Sequence, residues 1–196
     1  MRKIAVQMLC IACALMFCAC KEESITFAEP TIEVSKKGAI SQTIVESFDK
    51  EYYNVNELRS EIESAISDFE SNGHKDEVKL TDVHTNEGKV FVSFSFASSE
   101  VDSAFQDDEI YYGTINDAYD NGYSLDVTLK SVNDDTKIGK AEIMDMKKNH
   151  ILIVSSHGIV KTEYKIQYVS ANVEVIDEKT VRISSDSDGL AYIVMK

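Results

Sequence analysis

Apolar residues recur along this chain with two different periods. Between 55 and 71 they fall at Leu58, Ile62, Ala65, Ile66 and Phe69, the spacing of one face of a helix. Asn54 can cap the start, with Glu57 three residues on as a capping-box partner. Asn72-Gly73 supplies a stop, and Arg59 and Glu63 sit four apart on the outer face. The stripe predicts a helix packed on a sheet. The other reading is a helix that docks a partner.

Most of the rest follows period two. The segments 77–85 and 89–97 flank Asn86-Glu87-Gly88 as a hairpin. In its second strand Val90, Val92, Phe94 and Phe96 share one face. Phe91, Ser93, Ser95 and Ala97 share the other, as in a half-buried antiparallel strand. Short strands are expected at 31–36 and 40–48, around a Lys36-Lys37-Gly38 turn. Ile151 to Val154 is a continuous apolar run that suits a central strand. In 161–168, Thr162, Tyr164, Ile166 and Tyr168 alternate with polar residues. The segments 173–176 and 180–184 flank a turn at 177–179, and 190–195 closes the chain.

Two short helices are expected. One is capped by Ser98 or Ser99 and runs to about Gln106, with Val101, Ala104 and Phe105 inward. The other is capped by Thr114, carries Asp117 at its third position and stops at Asn121-Gly122. The segment 124–132 is strand-like, and 139–147 is ambiguous. Strands outnumber helices and do not alternate with them. The pattern is therefore α+β: a mostly antiparallel sheet, one main amphipathic helix at about 55–71 and short accessory helices.

The first twenty residues, MRKIAVQMLCIACALMFCAC, follow neither period. Arg2 and Lys3 precede an apolar stretch over 4–19 that only Gln7 interrupts. Sixteen residues make about 24 Å of helix, short of the roughly 20 apolar residues that span a bilayer. A positive start, a short apolar stretch and a small residue at the end fit a secretory signal. An uncleaved anchor helix is the alternative. All four cysteines lie here, at 10, 13, 18 and 20.

Phe17-Cys18-Ala19-Cys20 resembles the lipobox of bacterial lipoproteins, with Phe17 where Leu is usual. The resemblance covers the leader only. It implies that Cys20 receives a diacylglycerol, that the leader is cut before it, and that the new N-terminus can take a further acyl chain such as palmitate. Two or more acyl chains anchor a protein stably. The expected organisation is a signal peptide at 1–19, a lipidated cysteine and tether at 20–30, and a single acidic α+β domain at 31–196. The expected place is the extracytoplasmic face of a cell membrane. Pro30 is the only proline, so no proline-stiffened spacer lies between anchor and domain.

Removing 1–19 leaves 177 residues with 18 bases and 34 acids, a net charge of −16. That balance disfavours nucleic acid and anionic lipid, because phosphate binding needs clustered Lys and Arg. It also favours solubility. No cysteine follows Cys20, so the exported part stands on packing without internal disulfides, at a length that suffices for a core.

Signs of chemistry are sparse. His74, His84, His150 and His157 form no metal-binding spacing. Ser155-Ser156-His157-Gly158 sets serine beside histidine, yet triads assemble in space and not in sequence, and no GxSxG elbow is present. Nucleotide-binding glycine motifs are also missing. Asp186-Ser187-Asp188-Gly189 offers Asp186 and Asp188 as a weak calcium candidate, but the EF-hand's further ligands are missing and a plain turn, which favours Asp, Ser and Gly for its own reasons, is the better account. Tyr111, Tyr112 and Tyr123 are candidates for lining a glycan or peptide groove, since aromatic faces supply area with a polar handle. These observations lead to an expected membrane-anchored lipoprotein acting as a non-catalytic binding or assembly module, without cofactor and with a protein or glycan partner. The alternative is an extracytoplasmic hydrolase of cell-wall or glycan material.

Overall fold

In the computed structural model, which describes residues 29–186 and 189–196, the two periods resolve into thirteen strands and four helices. The first half holds β1 (Thr31–Val34), β2 (Ile40–Ser47), α1 (Val55–Ser71), β3 (Val78–Asn86), β4 (Lys89–Phe96), α2 (Ser99–Gln106) and β5 (Ile110–Thr114). Then come α3 (Ile115–Asp120), β6 (Leu129–Ser131), β7 (Lys137–Ile138), α4 (Lys140–Asp145) and β8 (His150–Val154). The chain ends with β9 (Gly158–Thr162), β10 (Ile166–Val169), β11 (Val173–Val175), β12 (Thr180–Ile183) and β13 (Ala191–Met195). The fold is mixed and mostly β.

The strands form two sheets. One runs β11-β12-β9-β1-β2-β4-β3 and the other β5-β8-β13-β10-β6-β7. Only the β1–β9 pair is parallel among the described residues. The hairpin of β3 and β4 turns through Glu87 and Gly88, both at positive φ, which matches the twist of paired strands.

Burial follows the pleat. In β8, Leu152 and Val154 point into a core shared with the first sheet. Ile151 and Ile153 point the other way, into a second cluster with Ile115, Ala118 and Ile143 of α3 and α4. In β13, Ile193 and Met195 face the first cluster, and Tyr192 and Val194 the second. Both faces of this sheet are covered, so its central strands are continuously apolar rather than alternating.

Four expectations need correction. The alternating segment 161–168 is two strands in different sheets, because the chain bends at 163–165 to pass between them; the Thr162 hydroxyl donates to the Tyr164 carbonyl at 2.7 Å across the bend. The strand expected over 124–132 shrinks to β6, and Leu125 instead plugs the second cluster from an irregular segment. In α2, Ala104 is exposed and Asp102 is buried. In α1, Leu58, Ile62, Ile66 and Phe69 are half-buried against the first cluster, Ala65 is exposed, and no residue is fully buried. Asn54 does cap α1: its side chain accepts from the N–H groups of Asn56 and Glu57.

Candidate functional site

The first sheet has a notch. The last β1–β2 pair is Thr31 with Thr43, while β2 pairs with β4 as far as Ser47. Residues 44–47 therefore have a neighbour on one side only, among the described residues.

The entering chain leaves this gap because it leans toward the opposite strands. The Pro30 carbonyl accepts from Ile159 N–H at 2.8 Å. The Glu29 carboxylate takes both Arg182 Nε and Nη2, at 3.1 and 3.2 Å, the paired geometry that suits a guanidinium. Arg182 Nη1 also reaches Glu174, at 3.3 Å. These acceptors raise the Arg182 pKa further, the Glu29 bond being the largest cause. Gly158 makes the approach possible. Its φ is +118°, and a Cβ there would lie 2.3 Å from the Pro30 oxygen, closer than any side chain allows.

The result is a cleft of about 1000 Å³. Ile44 and Glu46 form one wall, and Val173, Glu174, Arg182 and Ile183 the other. Gln106, Asp107 and Asp108, at the end of α2, also line it, as does His157. Five acids (Glu29, Glu46, Asp107, Asp108 and Glu174) face two bases, Lys89 and Arg182.

The Ser-His segment contributes to this cleft, and its bonds define what it can do. The Ser155 and Ser156 hydroxyls both donate to the Asp108 carboxylate, one to each oxygen. The Glu109 N–H donates to Asp108 Oδ1 at 2.9 Å and to Ser155 Oγ at 3.2 Å. A Ser-His-Asp triad needs an imidazole accepting the serine proton and a carboxylate behind the imidazole. Here the carboxylate holds the hydroxyls directly. The arrangement ties the end of α2 to the turn between β8 and β9.

Asp102 lies one helical turn before Gln106 and outside the cleft lining. It is 1% exposed, and its Oδ2 has no hydrogen-bond partner. Burial pushes its pKa up to about 7, the charge of Asp108 adds to this, and a bond from Gln106 opposes it. Gln106 in turn donates its side-chain N–H to the side-chain amide oxygen (Oε1) of Gln42 on β2. A carboxyl held near neutrality resembles a general acid in energy, but this one is sealed from the cleft.

The candidate tyrosines separate. Tyr111 and Tyr123 meet with ring centroids 4.7 Å apart in the second cluster. Tyr112, on the opposite face of β5, packs against the first cluster and stacks on His150 at 5.5 Å. Adjacent strand residues point to opposite faces, so the three do not form one groove. The Tyr112 hydroxyl is buried without a partner, and burial pushes its pKa up to about 12. Asp186 sits in the turn after β12, its N–H donating to Ser184 Oγ at 3.2 Å. Asp188 and Cys20 lie outside the described residues. Among the described residues no group of three or more His, Cys, Asp or Glu side chains is arranged to hold a metal.

Sequence reasoning reads Pro30 as the end of a tether and does not find the notch. The signal was a lone proline, which lacks an N–H for a sheet ladder, just before a strand half as long as its partner. Comparison with family models, with curated proteins and with solved structures finds no match to this chain.

Proposed function

We propose that this protein is a lipid-anchored protein of the cell surface, held through Cys20, that binds its ligand without transforming it, and that the notch in the first sheet is its binding site. The observation that carries the reading is the cleft itself. A strand edge that no described residue pairs with and polar side chains converge there, while both serine hydroxyls are engaged by Asp108. Ligand sites are usually the largest such concavity with a few convergent polar groups.

The placement suits an anchored receptor. Glu29, nine residues after Cys20, lines the cleft. At about 3.3–3.6 Å per residue the cleft lies within roughly 30 Å of the anchor. In this reading α1 is the main amphipathic helix of the fold and a cover rather than a docking element, since Leu58, Ile62, Ile66 and Phe69 lie against the core.

Two measurements test the proposal. Cys20→Ser is expected to abolish incorporation of labelled fatty acid and to release the protein from the membrane fraction. Undiminished labelling would remove the anchor from the reading. The exported chain is also expected to show no turnover of p-nitrophenyl acetate, p-nitrophenyl glycosides or cell-wall glycan fragments. Turnover that Asp108→Asn or Ser156→Ala abolishes would establish the hydrolase instead, since Ser156, His157 and Asp108 line this cleft.

A further inference from the structure

We propose that the occupant of the notch is an extended, cationic peptide segment that adds a strand to β2; the inference rests on the binding function proposed above and names its ligand class. The backbone carries the first half of the argument. β1 fills a slot between β2 on one side and β9 on the other. At Glu29 the chain turns to Arg182, and among the described residues nothing pairs with residues 44–47 on that side. Four residues of a twisted strand offer about 13 Å of edge. An unpaired edge is a template for another strand, and peptide recognition by strand addition uses such edges, with side-chain pockets supplying selectivity. The edge here ends in a walled cleft, so an added strand meets side chains on both flanks.

Charge carries the second half. Arg182 is already matched by Glu29 and Glu174. That leaves Glu46, Asp107 and Asp108 against Lys89, a lining that stays net negative, with Glu46 and Asp107 exposed. Beside it, at the end of β2, Tyr53 stacks on Phe48 at 4.8 Å and Tyr52 meets Tyr53 edge-on at 4.9 Å. Tyr52 is 77% exposed and Tyr53 42%, the two most conspicuous open rings among the described residues apart from Tyr119. Aromatic faces attract cations, and acids beside them add to the attraction. The Phe48 N–H donates to the Gly88 carbonyl at 2.6 Å, which fixes this cluster to the hairpin tip next to the notch. A peptide with Lys or Arg at alternate positions can therefore pair its backbone with β2, set one cation at Glu46 and lay another on the tyrosines.

The test uses the exported chain, residues 20–196 with Cys20→Ser, and a fluorescein-labelled (Lys-Thr)4 peptide read by anisotropy. Saturable binding is expected, with (Glu-Thr)4 not bound. Methylating alternate backbone nitrogens leaves the charge and removes strand hydrogen bonds, and it is expected to weaken binding at least tenfold. Glu46→Lys and the pair Tyr52→Ala, Tyr53→Ala are expected to weaken it as much, with melting temperatures near the parent's. Asp134→Lys with Asp135→Lys, a charge change away from the cleft, should stay within twofold. Equal losses in that control would show general attraction to an acidic surface and overturn the proposal. Indifference to N-methylation would overturn strand addition. Binding that appears only after Thr26→Pro and Phe27→Pro would give the notch to the chain's own residues 21–28. Self-association in sedimentation that competes with the peptide would give it to a second copy. Retention of a neutral cell-wall glycan without the peptide would sink this inference and leave the binding function standing, whereas turnover of a substrate would sink that function.

Discussion

Asp102 is the residue where burial and charge conflict most plainly. Its carboxyl is 1% exposed, one oxygen lacks a partner, and Asp108 is close enough to repel its anion. The folded state therefore holds the proton more tightly than the unfolded chain does. The associated stability is full below the unfolded value of 3.8 and is lost as pH rises through about 7. A shift of that size is worth about 4 kcal/mol at most. Asp102→Asn keeps an acceptor for Gln106 and removes the charge. It is expected to flatten the denaturant midpoint between pH 4 and 8 and to stabilise the protein at the alkaline end. Parallel pH curves for parent and variant would show that Asp102 ionises without penalty. Gly158 is the second residue under constraint. Gly158→Ala meets the Pro30 oxygen and a left-handed φ at once, and is expected to cost about 2–3 kcal/mol in urea unfolding. Gly73, also at positive φ but with open space around it, should lose less on the same change.

At the scale of elements, α1 separates periodicity from burial. The stripe of Leu58, Ile62, Ile66 and Phe69 is present and lies against the core, yet none of these residues is fully buried. The helix sits beside β3, with Arg59 Nη2 donating to the Val83 carbonyl at 3.1 Å. Phe69 stacks on His74 at 4.1 Å and meets Phe105 of α2 edge-on at 5.3 Å, so it is the better-supported anchor. A full core truncation costs about 2–5 kcal/mol. For these half-buried sites the expected loss is about 1–3 kcal/mol, with Phe69→Ala costing more than Ile62→Ala or Ile66→Ala. Changes within about 0.5 kcal/mol of the parent, the range of surface positions, would mean that α1 covers nothing.

For the whole molecule, stability rests on two apolar clusters that share one sheet. No cysteine follows Cys20, and no metal-holding group is found among the described residues. The chain from residue 20 onward, with Cys20→Ser, is therefore expected to melt at the same temperature with and without chelator and with and without reductant. A fall of many degrees in chelator would point to a bound metal, with the turn around Asp186 the first place to look. No helix among the described residues is long and apolar enough to cross a membrane.

Local physics was legible in the chain. Caps at Asn54, Ser98 and Thr114, the turn at Glu87-Gly88 and the alternation in β4 each depend on residues within a few positions of one another. So does the continuous apolar run of β8, which announces burial on both faces. The sequence could not show that 161–168 breaks between two sheets, because its alternation runs on through the bend; in the fold a register shift between Ile166 and Tyr168 puts Ile166 in the first cluster and Tyr168 against the second. Nor could it show that Tyr111 and Tyr112 serve different cores, or that Asp102 is buried, since both depend on which neighbours arrive from distant segments. The notch is the clearest case. It exists because Glu29 finds Arg182, 153 positions away, and because Gly158 lets Pro30 approach. Periodicity determines which residues can face a core; only the pairing of remote strands decides where the sheet is left open.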